Sequence, residues 1–241
     1  MRRVVILQPS YLPWQGYFAQ IAKADIFVFL DNVQYTKGDW RNRNRILNSN
    51  GTTQYLSVPV HFRHSMQSIC EVEIDHRHRW VDKHVRSLFF SYRHTPFFNE
   101  VLELVKSKLE NKQKLLSDLN ISLIQHICEY MEFSACEFVR ASDLPIFSSH
   151  PTRRLLEICQ HFNASNYLTG SKASDYLDEL AFSSLGVELE YLGDIHPEYA
   201  QNKEIFCSHL SILDLLFRLG LDARKLLANW ALKNSFKLID F

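Results

Sequence analysis

Apolar and polar positions along the chain follow two rhythms. Continuous apolar runs, Val4 to Leu7 and Ile26 to Leu30, each stop abruptly at a polar, turn-rich cluster. Such runs predict strands buried on both faces. The same reading predicts strands over 3–7, 26–30, 54–60, 69–74, 137–139, 165–168 and 188–191. Elsewhere apolar residues recur at helical spacing. That spacing predicts helices over 14–23, 80–92, 97–110, 114–130, 151–161, 175–183 and 212–219, with a last one near 223–232. Alternating strands and helices predict an α/β fold: a mostly parallel sheet with flanking helices. Residues 80–131 are almost wholly helical by period and read as a helical insertion or cap within a single α/β domain spanning 1–241.

Composition narrows the function classes. The 241 residues suffice for a sizeable core. Lys plus Arg and Asp plus Glu both total 27, which argues against global capture by nucleic acid or an anionic membrane, while a local basic patch stays open. Only 7 Gly and 7 Pro leave little room for disordered linkers. No apolar stretch is long enough for a membrane span, and the run after Met1-Arg2-Arg3 stops too soon for a signal peptide. The five cysteines, Cys70, Cys128, Cys136, Cys159 and Cys207, show no C-x-x-C spacing, which fits a reduced, cytoplasmic protein.

In open α/β sheets ligands bind beyond the carboxyl ends of the strands. Here those ends carry the densest polar chemistry. After the first strand comes Gln8-Pro9-Ser10-Tyr11-Leu12-Pro13-Trp14, leading into a helix whose free N–H groups suit a phosphate or carboxylate. Gln8 and Tyr11 are candidate substrate contacts, while Trp14 reads as packing. After the second strand Asp31 is a candidate general base, Lys37 a candidate acid or phosphate partner, and Gln34 and Tyr35 suit recognition. An Asx turn at Asp31 and a solvated Lys37 are the plain alternatives.

Asp39-Trp40-Arg41-Asn42-Arg43-Asn44-Arg45 follows. Guanidinium forks hold phosphate in bidentate fashion, and an indole stacks on a sugar or base. An extended backbone here would put the arginines on one face and the asparagines on the other. A sugar diphosphate suits this cluster, and so does a single-stranded nucleic-acid end. Thr169-Gly170-Ser171-Lys172 lies past another predicted strand, so Gly170 and Lys172 form a third anion-compatible candidate. Asp214, inside an apolar helix, needs a partner, for which an arginine of the basic cluster is one candidate. Six of the eleven histidines fall between His61 and His94, without a zinc-ligand spacing. His84 is a candidate base, and no metal ligands or cofactor are assigned. G-x-G-x-x-G, P-loop and G-x-S-x-G motifs are absent.

The block Gln8-Pro9-x-Tyr11-Leu12-Pro13-Trp14-x-Gly16-Tyr17-Phe18, with Ala24-Asp25, Leu30-Asp31, Gln34-Tyr35 and Asp39-Trp40-x-Asn42-Arg43-Asn44-Arg45-Ile46, resembles the WbqC-like family of bacterial proteins. Ser57-Val58-Pro59-Val60, Tyr167-Leu168-Thr169-Gly170, Tyr176-Leu177-Asp178, Tyr199-x-Gln201 and Leu210 to Leu216 extend the likeness, and Tyr176 joins the candidate binding residues through it. Ala173, Ser174 and Ala200 depart from the family's usual glycine, basic residue and proline. The resemblance implies a surface-polysaccharide setting and glycine or acyl transfer to an activated amino sugar. The order strand, proline-rich turn, helix, Ala-Asp, strand also resembles the nucleotidylyltransferase-like superfamily. Trp14-Gln15-Gly16-Tyr17 stands where that superfamily has His-x-Gly-His. Two alternatives therefore accompany the transferase expectation: ATP-dependent nucleotidyl transfer or carboxylate activation, and a non-catalytic binder of a nucleotide, glycan or RNA end.

Overall fold

A computed structural model describes residues 2–133, 135–175, 177–194, 196–201 and 205–237. The chain opens with β1 (Arg3–Leu7), α1 (Gln15–Lys23) and β2 (Ile26–Phe29). A long excursion follows, made of β3 (Arg43–Leu47), β4 (Thr53–Ser57), β5 (Val60–His61), β6 (Glu73–Ile74), α2 (Trp80–Tyr92), α3 (Phe98–Leu109) and α4 (Leu116–Tyr130). The chain then returns through β7 (Glu137–Arg140), α5 (Pro151–His161), β8 (Asn166–Gly170), α6 (Glu179–Ser184), β9 (Glu188–Leu192), α7 (Ile212–Leu219), α8 (Ala223–Asn234) and β10 (Ser235–Phe236).

Among the described residues the main sheet has the order β10-β9-β8-β1-β2-β7. Its pairs are parallel except β10 with β9, as the alternation of elements predicts. The strands are apolar on both faces because both faces are covered. Along β1, Val5 joins one core while Val4 and Ile6 join the other; along β2, Phe27 and Phe29 face the first core and Ile26 and Val28 the second. This is the period-two alternation of a pleated strand. The first core is closed by α1, α7, α8 and the helices of the excursion, the second by residues of α5 and α6. Each such side chain contributes about 1.5–3 kcal/mol by leaving water.

Local chemistry explains where the elements depart from expectation. The predicted strand over 54–60 is cut at Pro59, which has no N–H to donate, and becomes β4 and β5. The predicted strand over 69–74 is a 3-10 turn, Ile69–Glu71, followed by the short β6. The Glu71 carboxylate accepts the Ser68 N–H at 2.9 Å and holds that turn. Instead of one helix over 175–183, a 3-10 turn at Ser171–Asp175 precedes α6, and Asp178 caps α6 by accepting the Ala181 N–H at 3.1 Å. The arginine-rich stretch is β3 from Arg43, paired antiparallel with β4. Arg43 and Arg45 point outward and Asn44 inward, as alternation requires.

Candidate functional site at the sheet switch point

The connection from β1 runs one way across the sheet to β2, and that from β8 runs the other way to β9. The carboxyl ends of β1 and β8 therefore flank a switch point, where open α/β sheets form their ligand crevice. The turn leaving β1 is held firmly. Leu12 has φ 43°, in the left-handed region disfavoured for a residue with a Cβ. The Asn44 amide secures it by donating to the carbonyls of Tyr11 at 3.2 Å and Leu12 at 2.8 Å. The Asn120 amide donates to Pro9 O and Arg41 O at 3.0 and 2.8 Å. Gln8 is half-buried, and its Oε1 has no partner among the described residues.

Trp14, just before α1, bridges to Ser211 and folds over Gly16, where an added Cβ would lie 2.0 Å from the indole. Only glycine leaves room for the ring at that point. So placed, Trp14 lies 4.9 Å from the His196 ring and 6.1 Å from the His209 ring, nearly parallel to the latter. The two imidazoles are themselves 4.0 Å apart.

Asp194, just past β9, completes the group: ligand atoms of Asp194, His196 and His209 all lie within 4.8 Å of one another. Lys172, after β8, reaches Asp194 Oδ2 at 3.5 Å. Arg45 Nη2 donates to the His209 carbonyl at 3.3 Å, and its guanidinium lies over Trp40, 5.8 Å from the ring centre. Arg43 stacks on Tyr55 at 4.6 Å beside them. Burial, with help from His209, pushes the His196 imidazole down to about 4. Burial lowers His209 as well; Arg45 and Lys172 add to the effect and Asp194 opposes it. Both rings are thus biased toward the neutral, electron-donating form.

The structure brings together Gln8, Trp40, Arg43, Gly170 and Lys172 of the sequence candidates on or beside this crevice, and separates the others. Asp31 is fully buried beyond β2. Its oxygens accept from Arg140 Nε at 2.8 Å, from Ser142 N at 2.9 Å and from Ser142 Oγ at 3.0 Å. Arg140 also reaches Asp118 at 2.7 Å and Ser117 at 3.1 Å. This carboxylate joins two strand ends. His84 is buried, with Nδ1 at 2.9 Å from the equally buried Tyr11 hydroxyl, and burial pushes its imidazole down to about 4.

Lys37, Tyr35 and Asn42 line a separate 830 Å³ groove with His61, Asp75 and Arg77. Burial pushes the Tyr35 phenol up to about 12. Asp39 is engaged by Arg41, and Gln34 donates to Ser65 O at 2.6 Å. Tyr176 lies outside the described residues. Asp214 finds its arginine not in the basic cluster but one turn along its own helix, Arg218 at 3.3 Å, with Tyr199 and Gln201 as further donors at 2.7 and 3.1 Å.

Sequence reasoning missed Asp194, His196 and His209. The histidine crowding between 61 and 94 drew attention away, yet none of those residues belongs to the triad. The available signal was Asp194-x-His196 directly after a predicted strand end, the spacing that puts two side chains on one face of extended chain.

The WbqC-like protein family matches residues 8–226 of this chain. The uncharacterized protein Rv1507c of Mycobacterium tuberculosis is 38% identical over 226 residues, which are 92% of this chain and 96% of that protein. No solved structure matches.

Proposed function

The chain belongs to the WbqC-like protein family, and on that premise we propose that it is a transferase of surface-glycan assembly. It moves an acyl or aminoacyl group onto the amine of a phosphate-activated amino sugar. The supporting observation is the convergence of Lys172, Arg45, Trp14 and Trp40 around the crevice beyond β1, β8 and β9. Lys172 is 81% exposed and carries a charge that Asp194 only partly offsets. With Arg45 and Arg43 it meets the phosphates; the indoles meet the sugar ring or base. The sugar nitrogen bonds to the acyl carbon, the bond from that carbon to its carrier breaks, and the amine proton leaves with the departing carrier. Asp31 and His84, fully engaged in the interior, hold the strand ends and the β1 turn.

Thermal shift tests the reading, because a ligand of the folded state raises the melting point by mass action. The panel is a nucleoside-diphosphate amino sugar, ATP with magnesium, and an acyl-CoA. Stabilisation by the amino sugar, weakened in Lys172→Ala, is expected. Stabilisation by ATP with magnesium alone replaces the reading with nucleotidyl transfer, and no shift with any of the three removes the small-molecule substrate.

A further inference from the structure

The histidines of the crevice present a pattern that the transferase reading does not require. His196 is 7% exposed, and neither ring nitrogen has a hydrogen-bond partner among the described residues. A neutral imidazole has one N–H and one lone pair, and burying both unpaired is costly. Its neighbours are arranged as if around a common centre. His209 Nδ1 sits 2.9 Å from Ser208 Oγ, and its Nε2 lies 4.0 Å from Asp194 Oδ1. Asp194 Oδ2 faces Lys172 at 3.5 Å, while Oδ1 is the oxygen on the His209 side. Each ligand thus has its outer atom held by a second group or, for His196, is packed against Trp14. An outer hydrogen bond that fixes the ring of a ligating histidine is the usual support of a metal site.

We infer that Asp194, His196 and His209 bind a divalent first-row transition ion of the zinc class, with coordination positions left open to the crevice. The donor set selects the class. Two imidazole nitrogens and one carboxylate suit zinc, iron(II) or cobalt(II), whereas calcium and magnesium take oxygen ligands. Ligand atoms bonded to one tetrahedral ion at about 2.0–2.1 Å lie roughly 3.4 Å apart. The observed separations, within 4.8 Å, close to that value by small side-chain rotations of the two exposed ligands, Asp194 and His209. Three protein ligands are the number found in catalytic rather than structural zinc sites. An ion there polarises a carbonyl or acidifies a bound water. The site stands on its own geometry and does not depend on the transferase reading.

The test is titration of chelator-stripped full-length protein with Zn²⁺ by calorimetry and with Co²⁺ by visible absorption. One equivalent of each is expected to bind, with cobalt bands of low coordination number. Asp194→Asn and His209→Gln, both at exposed positions, are expected to weaken binding at least tenfold and to keep the wild-type melting point, whereas His61→Gln binds as wild type. Failure to bind one equivalent, binding unchanged in both triad variants, or equal competition by Mg²⁺ overturns the inference. Because the readout is metal itself, its outcome is separable from that of the sugar-phosphate screen.

Discussion

Two polar clusters stand beyond the carboxyl ends of the same parallel sheet, and they differ in how their partners are counted. Beyond β2 and β7, Asp31 and Arg140 close a network with Ser117, Asp118 and Ser142, and every carboxylate oxygen of Asp31 is engaged. Beyond β1, β8 and β9, the nitrogens of His196 and the amide oxygen of Gln8 have no partner among the described residues, and Lys172 extends into solvent. A charge that is buried and fully hydrogen-bonded holds structure together. Donors and acceptors gathered with incomplete partners are what a ligand completes. A polar residue at a strand end is therefore a weak functional signal until its partners are known.

The sharpest way to break the contrast is to remove one side of the closed network. Arg140→Ala leaves the Asp31 carboxylate buried without its cation and is expected to destabilise by about 3–5 kcal/mol, read as a fall in the denaturation midpoint with the slope unchanged. A fall below about 1 kcal/mol would place Asp31 among the adaptable groups instead.

His84 gives the next largest effect. Its folded-state value is lowered to about 4 by burial, so the unfolded chain takes up the proton first as pH falls. Stability is full above the ordinary histidine range and declines between about pH 6.5 and 4, by on the order of 3 kcal/mol. In His84→Gln that decline flattens, and urea unfolding at pH 7 and pH 4.5 measures the difference.

Gly16→Ala is expected to cost about 1–3 kcal/mol, because the new methyl collides with the Trp14 ring. It also displaces the indole from the imidazoles, so the Trp14 fluorescence response to a crevice ligand is lost along with stability. Lys172→Ala lies at the small end. Stability stays within about 0.5 kcal/mol while affinity for a phosphate-bearing ligand falls. A variant that loses stability and keeps affinity reverses the assignment of open and closed clusters.

Much of the scaffold is legible in the sequence because its signals are local. Val4 to Leu7 and Ile26 to Phe29 are continuous apolar runs, and 80–92, 151–161 and 212–219 keep a helical period to their last residue. The short β10 has no such signal, since its two residues are a strand only through pairing with β9. For the candidate site, the arginine and asparagine alternation foretold the faces of β3, and Lys172 is legible as a residue past a strand end. The partner of Asp31 is not legible, because Arg140 is far along the chain and no local pattern predicts that the two meet. His209 lies thirteen residues beyond His196 and has φ 58°, so spacing carries no sign of their contact.

The bridge between Trp14 and Ser211 has a consequence in time. Ser211 N also donates to Arg45 O at 2.8 Å, and Ile212 N to Pro13 O at 2.8 Å, while β1 pairs with β8. At about 5–20 residues per second, a ribosome needs on the order of 10–40 s to deliver residue 212 after the first turn has emerged. Throughout that interval the β1 turn is without its far partners, and the loop that must close runs from Trp14 to Ser211. The crevice therefore assembles only after residue 212 has emerged, and a nascent chain cut before that residue cannot bind its ligand.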